Sequence, residues 1–186
     1  MIYIALLRGI NVGGNNMMNM KQLKGTFERA GMERVTTYIN SGNIVFSAEG
    51  ETHQALSARL EAAIAADFGF PIRVIVRSLP EIQAVVEALP ASWSNDEQMK
   101  SDVFFLWEEV DDASVLDKLP LKLGIGTLRY VPGAVMFSVE RVDVNKSGLT
   151  KLIGTKLYGY MTLRNVNTVR KIYSLMQAAE AQAADA

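Results

Sequence analysis

The chain contains no cysteine and a single histidine, His53. Without thiols it forms neither a disulfide framework nor a cysteine nucleophile, and one imidazole cannot assemble a Cys/His zinc site or a histidine cluster. Long apolar runs are lacking too. Met1 to Leu7 is apolar only as far as Arg8 and Gly9, too short for a secretion signal's hydrophobic region or a membrane span, and no basic segment precedes it. The expectation is a cytoplasmic protein that makes no use of a membrane. Charge of one sign is not in excess either, with 19 Lys and Arg against 20 Asp and Glu.

What is present suffices for a core. In 186 residues, 49% are hydrophobic and 21% charged; a chain of this length buries roughly 70% of its unfolded surface and needs no covalent staples. The balanced charge hides an asymmetry: residues 1–77 carry a net +2, residues 78–119 a net −8 and residues 120–186 a net +5. Between Arg141 and Lys171 seven cations (Arg141, Lys146, Lys151, Lys156, Arg164, Arg170, Lys171) face Asp143 alone, so an anion prefers that stretch unless these are ordinary solvated side chains.

Periodicity organises the first half. Ile2 to Leu7 is continuously apolar, as in a strand buried on both faces. Met20, Leu23, Phe27 and Ala30 share one side of a helix that Gly31 stops. Val35 to Ile39 and Ile44 to Ser47 flank the tight-turn sequence Asn40-Ser41-Gly42-Asn43; Leu56, Leu60, Ile64 and Phe68 mark a second helix, and Ile72 to Arg77 a last strand. The order β-α-β-β-α-β is that of a ferredoxin-like α-β plait. Ser78-Leu79-Pro80-Glu81 then opens a helix that ends near Pro90, with Ser78 as N-cap and Glu81 at the capping-box position.

After a polar link, Val103 to Trp107, a helix around Val115 and Leu119, and a hairpin of Thr127 to Val131 and Ala134 to Val139 across Pro132-Gly133 repeat β-α-β-β. Beyond Val139 helical signals appear at Leu149 to Leu157 and Val169 to Met176, without a clear closing strand; Tyr158 to Leu163 is ambiguous. The expected fold is therefore α+β: a plait over residues 1–78, a helix and linker over 79–100, and a second plait, incomplete or modified, over 101–186 with C-terminal helices. Ala178 to Ala186 is low in complexity and reads as a fraying helix end.

Polar chemistry concentrates in three places. Arg8-Gly9-Ile10-Asn11-Val12-Gly13-Gly14-Asn15-Asn16 lies between a buried strand and a helix, where backbone amides can cradle an anion. Gly9 and Gly14 have the spacing of a P-loop, but Asn15-Asn16 stands where Lys-Ser/Thr is required, so triphosphate hydrolysis is not supported. In a plait this loop meets the tip of the following hairpin, which brings Arg8, Asn11, Gly13, Gly14 and Asn15 towards Asn40, Ser41 and Asn43. Amides and a guanidinium suit an oxyanion or a base edge, but they cannot move protons. Ser41 has no base near it in sequence. The third place is Thr162, Arg164, Asn165, Asn167 and Thr168 at the entrance to the last helix, where one Asn acts as N-cap and the other polar groups offer an anion site.

Other groups read as ordinary structure. Glu108, Glu109, Asp111 and Asp112 form an unspaced carboxylate run ahead of a helix, so no metal is expected. Met17, Met18 and Met20 read as core filler, and Trp107 as a core residue. No cofactor is expected.

The stretches ALLRGINVGG (residues 5–14), YINSGNIVFS (38–47) and TLRNVNT (162–168) resemble the bacterial family known as domain of unknown function 1697, DUF1697, over nearly the whole chain. The resemblance implies two plait-like subdomains and no particular activity. Family members often resemble G-G-K-N in the first loop and R-N-W-N-T in the last motif; here Asn15 takes the place of the Lys and Val166 that of the Trp. The residues point first to a binding module for a phosphate-bearing or other anionic ligand, a nucleotide or nucleic acid. The alternatives are an enzyme acting on a small anionic metabolite, or polar motifs that serve only to lock the subdomains together.

Overall fold

The computed structural model describes residues 1–184, and it divides into two units, residues 83–171 and the remainder on either side. In the first unit β1 (Ile2–Leu7), α1 (Met20–Arg29), β2 (Glu33–Tyr38), β3 (Asn43–Ser47), α2 (His53–Phe68) and β4 (Val74–Ser78) form an antiparallel sheet in the order β2-β3-β1-β4. This is the strand order of the expected plait, and the local signals explain each element. Asn19 caps α1 by accepting from the amides of Lys21 and Gln22; Leu23 and Phe27, one turn apart, are fully buried. Thr52 caps α2, whose Leu56, Leu60 and Ile64 repeat every four residues, and Gly69 ends it in the left-handed conformation. These helices cover Tyr3, Ala5, Leu7, Ile44, Phe46, Val74 and Val76 on one face of the sheet. Ile2, Ile4, Leu6, Val45 and Ile75 on the other face are buried as well. The helix α3 (Leu79–Ala88) opens as expected: Glu81 accepts from both the amide, at 2.7 Å, and the hydroxyl of Ser78.

The second unit repeats the plan with less helix. Strands β5 (Met99–Leu106), β6 (Gly126–Val131), β7 (Ala134–Glu140) and β8 (Met161–Asn165) form an antiparallel sheet in the order β6-β7-β5-β8. The closing strand that the sequence failed to reveal is β8, which pairs with β5 from Leu106↔Met161 to Asp102↔Asn165. Its polar sequence, MTLRN, masks it. The two helices between strands are reduced to α4 (Val115–Lys118) and α5 (Leu149–Ile153). Helices this short have no stability of their own, so they form only because Val115, Leu149 and Leu152 pack on Phe104, Phe137 and Met161 of the sheet. Short turns complete the layer: Asp111, from the acidic run, accepts from the Tyr130 hydroxyl and the Gly133 amide and so ties the run to the β6–β7 turn. Burial, and then this bond, push the Tyr130 hydroxyl up to about 12.

The last helix, α6 (Val166–Ala184), is longer than the sequence signal at either end; from Ile172 onward it belongs to the first unit. The low-complexity run is helical as far as Ala184, and Asp185 and Ala186 lie outside the described residues. Among the described residues no helix is long and apolar enough to cross a membrane. Of the three methionines read as core, Met18 is buried and Met20 packs at the core's edge, but Met17 is 64% exposed.

Candidate functional site

The loop from Arg8 to Asn19 meets the β2–β3 turn at one edge of the first sheet, as the topology requires. The Leu7 amide donates to Gly42 O, and the Asn11 side chain bridges the two loops: its Nδ2 donates to Asn40 O at 2.8 Å and to Met18 O at 3.2 Å, while its Oδ1 accepts from the Met18 amide at 2.7 Å. Asn11 sits in the left-handed region (φ 53°), which Asn tolerates better than most residues. Gly42 is required here, since its φ is +77° and a Cβ would lie 2.7 Å from Leu7 Cβ. Asn43 is fully buried, and its Nδ2 donates to Tyr38 O and Ser41 Oγ. Two of the expected ligand amides, Asn11 and Asn43, are therefore occupied in holding the loops in shape. The start of α1 is occupied as well, because Asn19 takes the helix's first amides. Gly13 and Gly14 are exposed in left-handed conformations at the tip of the loop.

Beside this joint a cleft of about 400 Å³ opens between the β1–α1 loop and the chain entering β4. Arg8, Gly9, Val12, Asn15 and Asn16 line it from the loop, and Pro71, Ile72 and Arg73 from the chain entering β4. Asn16 donates through Nδ2 to Gly9 O; Asn15 is exposed, and no hydrogen bond of its side chain to another described residue is found. Among the described residues that line the cleft there is no carboxylate, imidazole or hydroxyl. Arg73, Pro71 and Ile72 were missed by sequence reasoning. The available signal was the plait itself: β4 runs antiparallel to β1, with Leu7 opposite Val74, so the residues entering β4 must flank the end of β1.

The third motif lies in the second unit. Thr162, Arg164 and Thr168 are buried. Arg164 donates through Nη1 to Thr162 Oγ1 at 3.0 Å and to Leu163 O at 2.8 Å; its burial lowers the guanidinium to about 10, leaving it charged at neutral pH. Asn165 is the N-cap, accepting from the Thr168 amide at 2.9 Å. Asn167 donates to Asn95 O, and Arg170 grips Trp93 O at 2.7 Å and Pro90 O at 3.0 Å with its two terminal nitrogens. Arg141 adds bonds to Asp96 O and Asn95 Oδ1, and Arg129 one to Ala88 O. The polar segment between α3 and β5 is thus a strap clamped by its carbonyl oxygens. Much of the basic run is engaged in this way, and Lys146 pairs with Asp143.

Glu33 begins β2 opposite Ser47, Glu51 pairs with Arg59, Asp143 pairs with Lys146, and His53 Nε2 lies 3.5 Å from Glu81. Among the described residues no three His, Cys, Asp or Glu side chains are grouped to hold a metal ion.

No curated protein matches the chain. Among solved structures, that of the conserved bacterial protein SP0830 from Streptococcus pneumoniae is similar: 31% identical, with a TM-score of 0.80 over 94% of this chain and 98% of that one. The family described as "Protein of unknown function (DUF1697)" matches residues 1–137, a span that includes the first two sequence motifs and the whole cleft but not Thr162 to Thr168. The chain therefore belongs to the DUF1697 family.

Proposed function

We propose that the protein is a binding module for a phosphate-bearing or other anionic ligand, acting in the cytoplasm, and that the ligand occupies the cleft beside the β1–α1 loop. The observation that carries this reading is that Arg8 and Arg73 both line one cleft, with no acidic side chain among its described lining residues. A guanidinium presents a rigid fork of donors matched to phosphate or carboxylate oxygens, and two of them flanking one concavity favour an anion over neutral ligands. Asn15 and Asn16 add adaptable polar contacts.

A second reading is favoured for the other predicted residues: the hydrogen bonds of Asn11, Asn43, Arg164, Asn165 and Asn167 make them internal fasteners of their own units. Thermal denaturation in the presence of pyrophosphate tests the proposal. Wild type should gain stability, about 2.7 kcal/mol at a hundredfold excess over Kd, and Arg73→Ala should lose that gain while Arg141→Ala, in the second unit, keeps it. Equal shifts in wild type and Arg73→Ala, or no shift in wild type, would reject the cleft as an anion site.

A further inference from the structure

Each sheet ends in two edge strands, β2 and β4 in the first and β6 and β8 in the second. An edge strand carries a row of N–H and C=O groups with no neighbour in the sheet, and natural chains cover or blunt such rows because another strand can pair with them. The residues of β4 and β8 are buried or half-buried throughout. The strand β2 is blunted: its register slips between Glu33 and Thr36, and the exposed Arg34 sits in the left-handed region at φ 52°. The strand β6 has neither device. Its register with β7 runs unbroken from Gly126 to Val131, and it contains no proline. Its one charged residue, Arg129, is drawn aside, with Nη1 donating to Ala88 O and the guanidinium 5.8 Å from the centre of the Trp93 ring. Among the described residues no element other than β7 runs alongside it.

The turn decides which groups are free. Val131 and Ala134 close the two-residue turn Pro132-Gly133 and so form a hydrogen-bonded pair, as do Arg129 with Met136 and Thr127 with Ser138 further along. Leu128 and Tyr130 lie between, so their backbone amides and carbonyls point away from β7, and no hydrogen bond joins these groups to another described residue. We propose that the free edge of β6 pairs antiparallel with the same edge of a second copy of this chain, about a two-fold axis at Leu128, which joins two four-stranded sheets into one of eight strands. Directly opposite residues share a face of the sheet, and this restricts where the axis falls. At Leu128 it sets Leu128 against Leu128, Thr127 against Arg129 and Gly126 against Tyr130 of the other copy. At Arg129 it would set two guanidinium groups directly opposite one another, which is unfavourable. The contact centred on Leu128 closes on itself: both free edges are used at once, and neither is left to recruit a third chain.

Sedimentation equilibrium of the full chain tests the pairing, and wild type should show a concentration-dependent dimer. Thr127 is exposed, so its replacement spares the core, and in the dimer it faces Arg129 of the other copy twice over. Thr127→Glu should therefore tighten the dimer about tenfold and Thr127→Arg weaken it by as much, a contrast that shrinks in high salt. Because the chain has no cysteine, Leu128→Cys introduces one thiol that meets its own copy across the axis. Oxidation with diamide should join two such chains by a disulfide, and adding Thr127→Arg should suppress that product. A chain that stays monomeric up to about 1 mM, or a dimer indifferent to the charge at position 127, overturns the proposal. A charge-sensitive dimer that diamide fails to trap through Leu128→Cys overturns the axis at Leu128.

Discussion

The two units share a strand order and differ in how they hold it. In the first, helices of 10 and 16 residues cover the sheet, and the loops at its edge are fastened by carboxamides, Asn11 and Asn43. In the second, the helices between strands shrink to four and five residues, and guanidinium groups take over, binding the carbonyls of the strap after α3. The difference follows from how much apolar surface each layer offers. A two-turn or longer amphipathic helix orients itself by burying a stripe, whereas a single turn needs directional bonds from its surroundings. In the first unit Arg8 and Arg73 line a cleft; in the second, Arg170 and Arg141 hold the strap.

The comparison can be broken most severely at Gly148, which precedes α5 with φ +88° and would place a Cβ 2.0 Å from Pro120 O. Gly148→Ala should cost more than about 4 kcal/mol. Both tryptophans, Trp93 and Trp107, lie in the second unit, so their fluorescence in a urea titration reports that loss directly. Arg170→Ala comes next: it frees two carbonyls of the strap and should cost about 3 kcal/mol, with Lys at 170 restoring little because it lacks the fork. Asn11→Ala, the counterpart in the first unit, should cost about 2 kcal/mol for its lost bonds and about 1 kcal/mol more for the left-handed backbone. Asn11→Gly separates the two terms, since glycine recovers only the second; circular dichroism in urea, which sees both units, measures it.

Smaller effects sharpen the contrast. Ile39 is a β-branched residue at φ 49° in the β2–β3 turn and half exposed, so Ile39→Asn should stabilise the protein by about 1 kcal/mol in the same titration. Two carboxylates, one in each unit, should also respond to acid with opposite sign. Bonds from Thr26 and Arg29 hold the Asp67 carboxyl of the first unit below its ordinary 3.8, so its contribution is complete above that pH and is lost as pH falls through the lowered value. Burial pushes Asp102 of the second unit above 3.8 despite Lys100 at 2.9 Å. The native chain then retains a proton that the unfolded chain releases, so stability declines as pH rises from 3.8 to the raised value. Urea midpoints across the acid range should show Asp67→Asn removing the first dependence and Asp102→Asn the second.

Much of the architecture was legible in the sequence. The buried run Ile2–Leu7, the four-residue spacing of Leu56, Leu60 and Ile64, and the Pro132-Gly133 turn each report a local preference that the fold obeys. The closing strand β8 was not legible because its burial comes from pairing with β5, more than fifty residues earlier, while its own composition is that of a surface loop. The candidate site was legible by half. The meeting of the two loops follows from the plait, and Arg8 was recognised, but Arg73 is adjacent to it only across the sheet, where its carbonyl accepts from the Arg8 amide.

The amino-acid order by itself determined the elements and their succession, because helix stripes, strand runs and turn residues act over a few positions. Which polar side chains are free to meet a ligand was decided only by the tertiary structure. Asn167 finds the carbonyl of a residue 72 positions away, and Arg170 one 80 positions away. A side chain whose partner is a distant backbone oxygen looks, in sequence, the same as one that faces water.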